Sequence, residues 1–203
     1  MGVTLRMTDG KRPELPDNYD ELSYEERKPY DEVLLRFDKE KSYFVDFETL
    51  EPTKDLKRGL SFSYTSLYLA LIRYVALFDS EYAIKTLCHT KLRGYNTDDD
   101  YVELVSFLNS YVPSVPSFTM YLLGIGECNG ELSPTYMKCM LSDNDYIAFL
   151  KHIDSDIPHK SITVCGVVTS TDELNSKTVK ETLMQFLGAC RIASDMGYYL
   201  VWS

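Results

Sequence analysis

The stretch from Leu60 to Leu92, LSFSYTSLYLALIRYVALFDSEYAIKTLCHTKL, restricts this chain more than any other feature. It is the longest apolar run, and between Leu60 and Phe78 only Arg73 carries a charge. A helix that is apolar on every side belongs in a protein core or in a bilayer. The hydroxyls of Ser61, Ser63, Tyr64, Thr65, Ser66, Tyr68 and Tyr74 are costly in hydrocarbon, and the length only just reaches what a span requires. The expectation is a buried central helix, wrapped by the chain's other helices, with Arg73 at an edge where its head reaches solvent. No membrane partner is expected.

The 203 residues suit one domain that buries its own core. Thirty-one acidic residues against twenty-one basic ones give a formal net charge of −10. Phosphate recognition needs clustered Lys and Arg, so this balance disfavours a nucleic-acid partner. The nearest approaches to a basic face are Lys54, Lys57 and Arg58, then Lys91 and Arg93. Sixteen Tyr stand against a single Trp, and Tyr suits half-wet interfaces as well as cores. Cys88, Cys128, Cys139, Cys165 and Cys190 are odd in number and irregularly spaced, and no apolar leader precedes them. This points to a reducing, cytoplasmic compartment. Met1-Gly2 does not complete a myristoylation signal, because Arg6 stands where Ser or Thr is needed.

Residues 1–22 are polar, contain Pro13 and Pro16, and read as an extended or disordered arm. Residues 23–203 read as a single domain, with the alternative that the chain continues past Ser203 in a longer parent. Ser23 and Glu26 have capping-box spacing, but Pro29 is expected to break the helix they would open, leaving a short one through 31–37. Ser42–Phe47 is a brief strand-like run ending at Pro52. Asp79-Ser80 predicts a break and a new helix through Tyr82, Ile84 and Leu87, stopping near Gly94. Another helix opens after Asn96–Asp100 and closes at Pro113. Ser133-Pro134 starts a further one, and Asp143 another with Tyr146, Ile147, Leu150 and Ile153 inward. Ile162–Val168 is the most β-branched run. Ser170 and Glu173 form a second capping-box pattern, followed by the clearest helical period: Val179, Leu183, Phe186, Leu187, Cys190 and Ala193, ending at Gly197. The fold class expected is mainly α, a helical bundle-like body with a few short strands behind the arm.

The most suggestive acidic pair is Asp46 and Glu48, at the end of the strand-like Tyr43-Phe44-Val45. Asp46-Phe47-Glu48-Thr49 resembles the first motif of the DEDD family of 3′–5′ exonucleases, and Asn96 to Asp100 is similar to that family's second motif. The resemblance implies two divalent cations held by Asp46, Glu48 and Asp100, activating water for phosphodiester cleavage. The third motif has no match: His152 to Asp156 is one residue short, and Arg191 stands where Tyr should precede Asp195.

Gly124-Ile125-Gly126-Glu127-Cys128-Asn129-Gly130 lacks the third Gly of a dinucleotide fingerprint and the Lys of a Walker loop, so it reads as a turn. Cys88-His89 would point to different helix faces, and no paired zinc-ligand spacing occurs. Asp143-Asn144-Asp145 lacks the twelve-residue calcium loop. His152 and His159 have no Ser or Cys elbow to serve. With no convergent catalytic set, the expectation is a non-enzymatic, self-assembling structural or scaffold subunit, coat- or nucleocapsid-like, without cofactor or metal. Its partner would be itself or another protein, and the apolar end Tyr198, Tyr199, Leu200, Val201 and Trp202 is the candidate interface. The alternatives are the metal-dependent nuclease and a helical protein–protein adaptor.

Overall fold

A computed structural model of the chain describes residues 2–94, 98–114, 130–142 and 150–203. Helix takes 54% of the residues and strand 19%, and the strands include a six-stranded antiparallel sheet. The mainly α expectation is therefore corrected to an α/β mix. Sequence reading missed the sheet because its strands are two to seven residues long and scattered along the chain. No described helix is long and apolar enough to cross a membrane.

The chain divides into two compact units. One comprises Val3–Ser61, Asn129–Cys139 and Gly188–Ser203 and is built on the sheet. Its strands are β1 (Gly2–Thr8), β2 (Ser42–Val45), β3 (Pro52–Thr53), β4 (Ser61–Ser63), β5 (Gly130–Leu132) and, at the far end of the chain, β8 (Tyr199–Trp202). The order is β3-β2-β1-β8-β5, with β4 beside β1 off this path. The stretch read as an arm thus begins with the middle strand. Its signal is an alternation of period two: Val3, Leu5 and Met7 are buried, and Thr4 and Arg6 face the other side. The apolar end residues form β8, antiparallel to β1 on one side and β5 on the other. Leu200 and Trp202 lie in the core with Val45 and Leu132. Gly130 stands opposite Trp202, and a Cβ there would come within 2.0 Å of the indole, so only glycine lets β5 approach.

Between β1 and β2 runs α1 (Tyr24–Lys41). Pro29 does not interrupt it. The Ser23 backbone N–H and hydroxyl both donate to Glu26 Oε2, at 2.9 and 2.6 Å, fixing the first turn. Glu25 and Glu26 stand at the positive end of the helix dipole, Lys39 and Lys41 at the negative end. These terms offset the one backbone donor that Pro29 lacks.

The other unit comprises Met1–Gly2, Phe62–Cys128 and Met140–Leu187. The long apolar stretch enters it as α2 (Tyr64–Ala76) and, after the break predicted at Asp79, as α3 (Ser80–Lys91). Asp79 caps α3 by accepting from Tyr82 N–H at 3.0 Å. It also accepts from the Tyr111 hydroxyl at 2.8 Å, at the end of α4 (Asp99–Ser110). Ile72, Val75, Ala76, Tyr82, Ala83, Leu87, Ile157 and Leu174 form one buried cluster. Cys88, Leu92 and Leu104 form a second, against which Ile162 and Val167 pack. The β-branched run is a hairpin, not one strand: β6 (Ser161–Val164) and β7 (Val167–Ser170) are joined by Cys165 and Gly166 at φ +49° and +76°. Two consecutive positive φ values are the signature of a two-residue hairpin turn. The helix expected straight after Ser170 starts later. A 3-10 turn (Thr171–Asn175) precedes α6 (Lys177–Met196), and α5 (Pro134–Ser142) lies earlier in the chain.

Arg73 is the largest departure within this unit. Instead of lying at an edge it is fully buried, with 0% exposure. Its guanidinium donates to the carbonyls of Leu174 (2.9 Å), Ile153 (2.9 Å) and Ser155 (2.6 Å) and to Asn175 Oδ1 (2.9 Å). Asn175 in turn is bonded in both directions to the backbone of Ile157. A planar fork with five donors can collect several carbonyls where no aliphatic side chain could.

Candidate functional site

Helix α1 presents the most unusual surface. None of its residues is buried. Tyr30, Val33, Leu34 and Phe37 recur at i, i+3, i+4 and i+7, the spacing of an apolar stripe that normally meets a partner. Tyr30 is 40% and Val33 53% exposed, and Leu34 and Phe37 are half-buried. What shelters the helix is the segment before it. Arg27 lies over the Tyr19 ring at 5.4 Å and donates to Leu22 O at 2.8 Å. The Tyr19 hydroxyl donates to Asp31, and Arg12 pairs with Asp38 at 3.1 Å. On another side of the helix, Tyr24 (76%) and Leu35 (69%) stand three turns apart in line. The first half of α1 carries four acidic residues (Glu25, Glu26, Asp31, Glu32) against Arg27 and Lys28, and the second carries Arg36, Lys39 and Lys41 against Asp38 and Glu40.

The residues predicted as an interface sit elsewhere. Leu200 and Trp202 are buried in the chain's own sheet, and Tyr198, Tyr199 and Val201 are half-buried, Tyr198 being stacked on Tyr43. What sequence reading lacked was α1's full length. Val33, Leu34 and Phe37 fall on the expected short helix, but starting it at Asp31, beyond Pro29, hid Tyr30 from the stripe.

Asp46 and Glu48 converge on a cation that the chain itself supplies. Arg58 Nε and Nη2 donate to the two Asp46 oxygens at 2.5 and 3.1 Å, and Nη2 also reaches Glu48 at 2.8 Å. Asp46 Oδ1 further accepts the backbone N–H groups of Glu48 (2.8 Å) and Thr49 (3.1 Å). The Arg58 contact, helped by those two N–H groups, holds the Asp46 carboxyl far below the usual carboxylate range. This is the geometry of a locked turn between β2 and β3. Asp100 belongs to the other unit, and Asn96 lies outside the described residues.

Asp98, Asp100 and Cys165 bring ligand atoms within 4.8 Å of one another, the one such grouping of three among the described residues. Asp98 caps α4, accepting from Asp100 N–H at 3.0 Å. Burial, and a hydrogen bond to the Asp98 carboxylate that favours the protonated thiol, push Cys165 up to about 11. A thiol so protonated at neutral pH is a weak nucleophile and a poor ligand. The grouping reads as a helix cap beside a hairpin turn. His89 is half-buried and stacked on Tyr101, its pKa lowered by burial. His152 is exposed, and His159 Nδ1 lies 2.9 Å from Asp172, both side chains open to solvent. The run from Gly124 to Asn129, and Asp143 to Asp145, lie outside the described residues. No protein-family model, curated protein or solved structure matches this chain.

Proposed function

We propose that this chain is a non-enzymatic structural subunit that associates with a second copy of itself through α1. The observation that carries the reading is an eighteen-residue helix with no buried residue and an apolar stripe, Tyr30-Val33-Leu34-Phe37, left half-open. Such stripes in water are stabilised by covering them. The charge distribution selects the occupant. Laid antiparallel on its own copy, α1 sets its net acidic first half against the slightly net basic second half of the partner, as a two-fold contact requires. The stripe supplies only part of the roughly 800 Å² per partner of a standard interface, so the pairing is weak and concentration-dependent.

The test is light scattering of the full chain across concentration. The mass of the wild type rises toward that of a dimer, Val33→Glu stays monomeric with unchanged circular dichroism, and Leu35→Glu, off the stripe, still associates. A wild type that is monomeric at every concentration overturns the reading. So does association that Val33→Glu leaves intact, or a stripe covered only by an unrelated protein, which is the adaptor reading.

A further inference from the structure

Arg6 occupies the centre of the sheet without an ionic or hydrogen-bonding partner among the described residues. It lies on the middle strand, faces away from the core, and stands across from Phe44 on β2 and Val201 on β8. Its guanidinium carbon sits 5.0 Å over the Phe44 ring. Its Nε is enclosed and donates to nothing. Other sheltered cations of the chain find acceptors for their heads: Arg58 has two carboxylates, Arg73 four acceptors on its Nη groups although its Nε also lacks one, and Lys54 the carbonyls of Lys39 and Ser42. The Nη groups of Arg6 are not enclosed, and with no acceptor of their own they are open to one supplied from outside the chain.

The space beside it can hold that acceptor. Arg6 lines a cavity of about 390 Å³, within the range of small-molecule sites. Thr8 and Ser42 contribute hydroxyls, Arg12 a second guanidinium already paired with Asp38, and Val201 apolar surface on the same face as Arg6. Asp38 and Glu131 are also in the wall, and they decide the ligand's charge. Two cations against two carboxylates leave little net positive field, which suits a monoanion better than a phosphate dianion. A planar carboxylate also matches a guanidinium fork. We infer that this cavity binds a small organic monocarboxylate, with its carboxylate on the Nη groups of Arg6 and its apolar body against Val201. The wall includes Asp38 of α1 but none of the stripe residues, so the site stands or falls without the self-association.

The experiment is a titration of the full chain with benzoate and, separately, with inorganic phosphate. It is followed by thermal shift and by the amide resonances of Arg6, Glu131 and Val201. Benzoate raises the melting temperature of the wild type and moves those resonances together. Affinity drops by about tenfold or more in Arg6→Gln, the loss of one charge-assisted contact. Arg6→Gln removes the unpaired charge and is expected to fold, and Arg6→Lys, which keeps the charge but loses the fork, binds between the two. No saturable benzoate effect, an equal response to phosphate, or undiminished binding by Arg6→Gln each overturns the assignment.

Discussion

Arg73 Nη1 donates to Asn175 Oδ1 at 2.9 Å across 102 residues of sequence. The contact fastens the centre of α2 to the 3-10 turn that precedes α6, and Asn175 passes it on to Ile157. Replacing Arg73 with Met fills the space but leaves three carbonyls and the Asn175 amide oxygen short of a donor. The expected loss is about 3 kcal/mol or more in denaturant-induced unfolding. Asn175→Ala loses less, and the double variant loses less than the sum of the two, because both side chains belong to one network. A loss near zero in Arg73→Met would remove this network from the account of stability.

Acid sensitivity originates at Asp46. The folded chain holds this carboxyl below its ordinary value of 3.8, chiefly through Arg58. The ionised form therefore favours folding above that value, and the contribution fades as pH falls below it. Wild-type stability should drop between about pH 4 and pH 2, and Asp46→Asn should start lower at neutral pH and fall less steeply. Equilibrium unfolding at a series of pH values measures both slopes. Parallel curves would contradict the lock at the β2–β3 turn.

Thiol labelling should rank the four described cysteines. Cys139 is exposed, Cys88 and Cys190 are buried, and Cys165 is half-buried with its pKa pushed up to about 11. With a maleimide at neutral pH, peptide mass spectrometry should find Cys139 modified first and Cys165 slowly despite its partial exposure. Raising the pH to about 9 should accelerate Cys165 steadily, without the plateau of an activated thiol.

Much of the helical half was legible from residue spacing. The Asp79-Ser80 break, the Ser133-Pro134 start and the stripe from Val179 to Ala193 are all local signals, read within one or two turns. The features that escaped reading depend on distant partners. β1 carries a period-two alternation of three apolar residues, but it becomes a central strand only because β8 arrives from the far end of the chain. Arg73 looks like an edge residue until the carbonyls of residues 153, 155 and 174 are placed around it. Asp46 and Glu48 suggest a metal until Arg58, ten to twelve residues on, is found between them. Cys165-Gly166 hid a hairpin because a β-branched run masks a turn that only backbone angles reveal.

Self-pairing of α1 is tested most directly by a disulfide between two copies. An antiparallel contact centred on the Tyr30–Phe37 stripe brings Val33 close to its own counterpart at the two-fold axis, and Leu35 points away from it. In a background lacking Cys139, Val33→Cys should give a covalent dimer under mild oxidation, in a yield that grows with concentration, and Leu35→Cys should give far less. A Val33→Cys chain that stays monomeric, or equal yields from the two positions, would contradict the proposed assembly.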